Sequence, residues 1–541
     1  MKKMITLLSV LILSLSCGFS HGQKMENRNN AIPANPSNPF RYGNDILIHD
    51  DMSQDQRSAN LSIAYNGWAF ATFNKIQGGE GGSEIWKSTD GNTWTNIAEF
   101  HQADYLNVAV DIVVCGSTEP DLVVFHAGIV YFPVANYYSM YVDKYNGATG
   151  AFLGEVYNET SYDRMYDIRI TSDYKYPSFG ASPYSVGVLF SKYGTAADEL
   201  IFLSSGDGGN TFTNRKTVTT TASFLDKVSL SAGRSPSASG GRYFASWEER
   251  LSGARTGAIY VSHTDPYFDS DWAVKTRLDD IAGSSLDMCK NPVVSCQAGS
   301  ADNISGEFTS IVIFDRDYYG TGFDYDVIGM FTRESAAPTP VWSRLDIAND
   351  NAINQFESDI NYDPGYNNFL VTYCDSTNQK LVYVVNGMDL TDPDVWGVIS
   401  PGYNEYPNLV HPFPKVDINP IYLQVGHVWI SDDAIGQGMA VWDAEYITGI
   451  PGGKEIGISA SIYPNPGKEK VNLQLELEKP ADISITLFNV FGQKVKEIAK
   501  ESFDAGNHDL SFSVGDLAGG CYTWEIKGAS GKITGKLVVA R

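Results

Sequence analysis

The chain has 541 residues, room for two or three domains, and carries 64 acidic against 39 basic side chains, a formal net charge of −25. A surface that acidic excludes the phosphate backbone of a nucleic acid and an anionic lipid sheet as partners. Hydrophobic residues make up 43% and aromatic residues 12% of the chain, the balance of a folded protein rich in strand formers.

The first 22 residues read as a secretory signal peptide. Met1-Lys2-Lys3 is basic, and the apolar run from Ile5 to Leu15 is too short to span a bilayer. Ser20 and Gly22 supply the small residues expected before a cleavage point. Lipid attachment at Cys17 is the alternative, although Ser14 stands where such a site prefers leucine. Residues 23–44, rich in Asn and Pro, form a spacer. No other segment has the length and apolarity of a membrane helix, so no transmembrane span is expected in the mature protein.

Residues 45–448 repeat. An aromatic residue follows a turn at Trp94, Phe152, Phe212, Trp272, Trp342 and Trp396, at steps of 58, 60, 60, 70 and 54 residues. Short strand-like runs precede each one, including Leu200-Ile201-Phe202-Leu203 and Leu381-Val382-Tyr383-Val384-Val385. Each unit reads as four strands bounded by Gly, Asn, Asp and Pro. A four-stranded unit cannot bury both of its faces alone, so units must stack around an axis as a β-propeller. Six blades are countable between about residues 60 and 400. Further strand-like runs at Gly426–Ile430 and Met439–Trp442, with Asp45–His49 as a closing strand, make seven blades the expected number and six the alternative.

Two turns in this region share one pattern. Ser205-Gly206-Asp207-Gly208-Gly209-Asn210-Thr211-Phe212 and the shorter Ser88-Thr89-Asp90-Gly91-Asn92-Thr93-Trp94 resemble the Asp-box, a β-hairpin motif of certain propellers, sialidases among them. The expected structural residues are Ser88, Asp90, Trp94, Ser205, Asp207, Gly209, Thr211 and Phe212. The glycines permit positive φ in a tight turn, the Asp carboxylate gathers turn amides, and the Ser and Thr hydroxyls add local bonds. The motif builds a hairpin and names no ligand.

Signatures of chemistry are sparse. There is no HExxH, P-loop or GxSxG elbow, and the eight histidines are scattered. A sialidase resemblance would imply an arginine triad, a Tyr/Glu nucleophile pair and an Asp acid/base on six blades. The nearest string to its first arginine motif is Phe40-Arg41-Tyr42-Gly43, which keeps Phe-Arg and loses Ile-Pro. One acidic loop, Asp315 to Asp326, offers Asp315, Asp317, Asp324 and Asp326 as oxygen donors. It reads as a solvated turn, a calcium site without EF-hand spacing, or an acid/base pair. Otherwise no cofactor is required. Tyrosines crowd loop-like segments at Tyr137-Tyr138, Tyr162, Tyr174, Tyr176 and Tyr318-Tyr319, where rings either pack blades or stack on sugars. Cys289 and Cys296 would lie about 23 Å apart on an extended strand, whereas a disulfide needs a Cα separation of about 5.5 Å.

After a Gly-rich joint within residues 449–460, residues 461–541 alternate polar and apolar with period two, as in an antiparallel sandwich. The order of motifs, from Tyr463-Pro464-Asn465-Pro466 through Asn489-Val490-Phe491-Gly492-Gln493 to Leu517-Ala518-Gly519-Gly520, resembles the type A C-terminal sorting domain of the Bacteroidota type IX secretion system. That resemblance implies the type IX machinery as a partner, export to the outer surface or beyond, and removal of the domain.

The expected protein is therefore all-β, a single propeller followed by a small β-sandwich. Its expected role is a secreted or cell-surface, non-catalytic binding or adhesion protein for a glycan or surface-protein ligand. The alternative is a sialidase-like exo-glycoside hydrolase. An enzyme of this shape should gather two carboxylates, or arginines with a Tyr/Glu pair, around one mouth of the propeller axis.

Overall fold

The computed structural model describes residues 45–539 outside short inter-strand segments, the longest being 174–183, 298–308, 387–395 and 447–457. Seven four-stranded antiparallel sheets follow one another in the chain. Blades 1 to 6 span Asp55–His101, Leu106–Ser161, Arg164–Thr221, Phe224–Arg277, Met288–Ala348 and Gln355–Ser400. Blade 7 takes Lys415–Asn419, Gln424–Asp432 and Gly438–Tyr446 from the end of the ring. Its fourth strand is Ile46–Leu47, where Ile46 pairs with Trp442 and Leu47 with Val441. The seven-blade expectation holds, and the Asp45–His49 segment closes the circle. Closure joins both ends of the ring in one sheet, which removes a seam at which it could open.

The burial pattern explains the sequence pattern. Middle strands lie between two neighbouring blades, so both faces are covered: Ser310–Asp317 is buried at every position, and Asp198–Ser205 at all but one. Such strands read as continuous apolar runs. Outermost strands such as Phe152–Ser161 contain no fully buried residue. Seven apolar clusters fill the seven spaces between blades. The space between blades 7 and 1, for example, holds Phe73, Ile430 and Trp442. The aromatic ladder opens or directly precedes the outer strands, as at Trp94, Phe152 and Trp396.

The C-terminal unit is a two-sheet sandwich. One sheet holds Ile458–Tyr463, Lys470–Leu477 and Gly506–Ser513; the other holds Lys494–Phe503, Ala481–Asn489, Gly520–Gly528 and Gly531–Val539. Its core gathers Val471, Leu473, Leu475, Ile485, Leu487, Trp524 and Leu537. No helix among the described residues is long and apolar enough to cross a membrane.

Candidate functional site

The two Asp-box turns link the third and fourth strands of blades 1 and 3. In blade 3, Asp207 Oδ1 accepts from Ser205 Oγ at 2.7 Å, Asn210 N at 3.0 Å and Thr211 N at 2.9 Å, while Oδ2 accepts from Thr211 Oγ1 at 2.7 Å. Desolvation raises the Asp207 carboxyl, but these donors together outweigh it and hold the carboxyl down at about 2. Asp90 makes the corresponding bonds to Ser88, Asn92 and Thr93. Each turn also clips the preceding blade. Gly209 lies against Phe125 of blade 2, and Lys144 Nζ donates to Asn210 Oδ1 at 2.7 Å. In blade 1, Gly91 O accepts from Trp442 Nε1 of blade 7 at 3.0 Å, and Trp94 packs edge-on against the Trp442 ring. Phe212 is buried between blades 2 and 3.

The acidic loop does not assemble a ligand set among the described residues. Strand pairing sets Asp315 opposite Val327, Arg316 opposite Asp326, and Asp317 opposite Tyr325. Asp315 and Asp317 therefore point to one face of the sheet and Asp326 to the other. Asp324 lies outside the described residues. Asp315 is fully buried and accepts from Asn291 Nδ2 at 2.7 Å and Glu357 N at 2.9 Å. Burial pushes its carboxyl up to about 7. No group of three or more His, Cys, Asp or Glu able to hold a metal occurs among the described residues. Cys289 and Cys296 are both buried on one strand and neither is in a disulfide. Phe40, Arg41, Tyr174, Tyr176, Tyr318, Tyr319, Pro464, Asn465 and Pro466 lie outside the described residues, while Tyr463 ends a strand paired with Asn472. Tyr138 stacks on Tyr131 and Tyr137 on Phe132, each at 4.6 Å, and Tyr162 is 84% exposed.

The feature that sequence reasoning missed is the axial channel. The seven innermost strands enclose a cavity of about 350 Å³, within the size range of small-ligand sites. An innermost strand is a sheet edge whose unpaired backbone groups need partners. Each blade supplies them to the next. Ser62 accepts from Val114 N, Asp111 from Ile170 N, Asp167 from Val228 N, and Ser229 from Val294 N, at 2.8–3.1 Å. Asp315 accepts from Glu357 N, Asp359 from Val416 N, and Asp417 from Ile63 N, at 2.6–2.9 Å. The circuit is complete across all seven interfaces. Four of these caps stand in an Asp-Ile dipeptide, at 111, 167, 359 and 417, with the isoleucine buried in an inter-blade cluster. That recurring dipeptide is the signal that could have located the channel.

Above this circuit lies a collar. Six of the seven first strands carry a bulge near their start, between Arg57/Asn60, Asn107/Ala109, Met165/Asp167, Asp226/Ser229, Lys290/Val293 and Phe356/Asp359. A bulge adds an unpaired residue and re-aims its side chain. Here Ser58, Val108, Tyr166, Lys227, Asn291 and Glu357 occupy that position, with Phe413 just before the first strand of blade 7, and all seven line the cavity. Five hold left-handed backbone: Ser58 at φ 55, Lys227 at 49, Asn291 at 53, Glu357 at 52 and Phe413 at 39. That conformation costs a residue with a side chain about 1–3 kcal/mol and concentrates at binding sites. The collar faces away from the Asp-box turns, on the side of the loops between second and third strands.

Charges at this mouth are largely paired. Glu357 Oε1 takes His411 Nδ1 at 2.8 Å and Oε2 accepts from Phe413 N at 3.2 Å, which raises the His411 pKa. Asp226 accepts from Lys227 N at 3.0 Å and from Arg250 at 2.6 Å. Deeper in, Arg169 meets Asp167 at 3.0 Å and Lys415 meets Asp359 at 3.1 Å. Burial pushes Asp111 up to about 6, with the Arg169 charge opposing it. Carboxylates thus do converge on the axis, but Asp111, Asp167, Asp226, Glu357, Asp359 and Asp417 each accept a backbone amide.

Residues 461–540 match the family model of the secretion system C-terminal sorting domain. This domain routes the chain through type IX secretion to the cell surface or the extracellular space. No curated protein matches the sequence. Among solved structures the chain is similar to an α-L-arabinanase from Penicillium chrysogenum, at 12% identity over 75% of this chain and 98% of that one, with a TM-score of 0.42. It is similar to an α-L-arabinofuranosidase from Fusarium graminearum at 10% identity over 74% and 97%, TM-score 0.42. It is also similar to the NanB sialidase of Streptococcus pneumoniae at 11% identity over 76% and 71%, TM-score 0.38. Likeness at these scores carries no functional argument.

Proposed function

We propose that this secreted propeller is a glycan-binding protein that takes the end of a sugar chain into the collar without cleaving it. The observation that carries this reading is the commitment of the channel carboxylates to backbone amides of the ring. A glycosidase needs one carboxyl to deliver a proton and a second facing the sugar across roughly 5–10 Å. Here rotating Asp111, Asp167, Glu357, Asp359 or Asp417 toward substrate breaks a bond that joins two blades, and rotating Asp226 breaks its bonds to the Lys227 amide and Arg250 within blade 4. The collar supplies what recognition needs instead: the hydroxyl of Ser58, the charge of Lys227 and the Phe413 ring, around a space for about one sugar residue. Seven blades also depart from the six that a sialidase resemblance implies. The test is a glycan array with the full chain, run beside a hydrolase screen on fluorogenic glycosides. Binding without turnover is the expected result. Turnover abolished by Glu357→Gln or Asp226→Asn would overturn the reading in favour of a glycoside hydrolase.

A further inference from the structure

We infer that Lys227 is the specificity residue of the collar and that it selects an anionic sugar, one carrying a carboxylate or a sulfate ester. The inference rests on the glycan reading above and adds the ligand class.

Three cations line the axial cavity: Arg169, Lys227 and Lys415. Two are matched, Arg169 with Asp167 at 3.0 Å and Lys415 with Asp359 at 3.1 Å. Lys227 has no carboxylate partner within 4.0 Å among the described residues. The adjacent Asp226 hydrogen-bonds to Arg250 and to the Lys227 amide, and the Lys227 ammonium acts on its carboxyl through space without a direct ion pair. The ammonium group lies 4.9 Å from the centre of the Phe413 ring. Lys227 belongs to blade 4 and Phe413 precedes blade 7, three blades away, so this contact bridges the mouth of the channel.

Both residues are held in left-handed backbone, at φ 49 and 39, and both are anchored. Asp226 Oδ1 accepts the Lys227 amide at 3.0 Å, and Glu357 Oε2 accepts the Phe413 amide at 3.2 Å. Backbone strain maintained at two opposed positions aims a cation and an aromatic ring into one small space. A cation–π contact is weaker than a charge-assisted hydrogen bond to an anion in a partly desolvated site. An anionic sugar therefore exchanges the weaker partner for a stronger one and leaves the Phe413 face to stack on its apolar side. The cavity lining holds six carboxylates, Asp111, Asp167, Asp226, Glu357, Asp359 and Asp417, against those three cations; each carboxylate accepts a backbone amide, and the anion is met at the mouth, where the Lys227 ammonium lies. Charges more than about 8 Å away are largely screened at physiological salt; Asp226 is paired with Arg250, and Glu357 with His411 when that ring is protonated.

The test titrates the full chain by calorimetry with three probes matched in length: an oligogalacturonide, a sulfated oligogalactoside and the neutral oligogalactoside. Wild type is expected to favour one or both charged probes. Lys227→Met should lose that preference about ten- to a hundredfold, the span of one hydrogen bond to a charged group. Lys227→Arg should restore most of it. An unchanged melting temperature in Lys227→Met shows that the ring is intact. The two charged arms separate carboxylate from sulfate recognition. Equal affinity for charged and neutral probes, or charged-probe binding unaffected by Lys227→Met, overturns the inference and leaves glycan binding standing. Failure of all three probes, together with an empty glycan array, overturns both.

Discussion

Gly209 tests whether the Asp-box clips blades together or merely turns the chain. It has φ +75, and a Cβ built on it would enter the van der Waals envelope of Cζ and Cε1 of Phe125 and lie 3.2 Å from Cε2. Phe125 is fully buried in the cluster between blades 2 and 3, so its ring has little room to move. Gly209→Ala should cost about 1 kcal/mol for left-handed backbone and about 1–3 kcal/mol for overpacking. For a ring of roughly 400 residues, a total of about 2–4 kcal/mol lowers the melting temperature by about 2–5 °C. Gly206, three residues earlier in the same turn, is the internal control. A Cβ there meets nothing within 4 Å, so Gly206→Ala should stay within about 0.5 kcal/mol of wild type. Differential scanning calorimetry on both variants, and on each combined with Phe125→Ala, completes the experiment. The overpacking share should disappear when the Phe125 ring is removed, a coupling of about 1–3 kcal/mol. Equal shifts for the two glycine variants, or a Gly209→Ala shift undiminished without the ring, would refute the clip.

Two further predictions concern the ring itself. Asp359→Ala strips the partner from the buried Val416 amide and from Lys415, which should cost about 2–4 kcal/mol, whereas Asp359→Asn keeps an acceptor for the amide and should cost less. Equal melting temperatures for the two variants would show that Asp359 caps nothing. On pH, burial pushes Asp45, Asp143, Glu248 and Asp315 up to about 7 and Asp111 to about 6. The folded chain therefore holds protons there that the unfolded chain, with carboxyls near 3.8–4.5, releases. This contribution is complete below those unfolded values and is lost as pH rises through about 6–7. Buried His126 and His427, both lowered to about 3, act oppositely as pH falls below 6.5, but they are two against five. The melting temperature should rise from pH 8 to pH 6 and continue toward pH 5. A steady fall over that range would show that these carboxyls are not buried as protonated groups.

The blades were legible in the sequence because their signals are local. A Gly-Asp turn must contain residues that tolerate positive φ and cap amides, and the aromatic after it must fill a gap between blades, so residue type repeats where structure repeats. Residues 461–541 were legible for the same reason, since alternation along Val471, Leu473, Leu475 and Leu477 is fixed by the pleat. The closing strand was readable only as a missing piece, because Ile46 and Leu47 pair with residues nearly 400 positions away. The collar obeys a different rule. Ser58, Val108, Tyr166, Lys227, Asn291, Glu357 and Phe413 share a place at the cavity wall and no chemistry: six stand at the extra backbone residue of a bulge and Phe413 just before the first strand of blade 7. A bulge built from such varied residues leaves no repeated letter. What does repeat is its support, the Asp-Ile pairs at 111, 167, 359 and 417, in which the aspartate caps the neighbouring edge and the isoleucine enters the core. Ring integrity constrains the support at each interface, and that constraint does not reach the collar side chains. In a propeller of this kind the repeated positions therefore report the scaffold, and the proposed ligand contacts stand at positions that do not repeat.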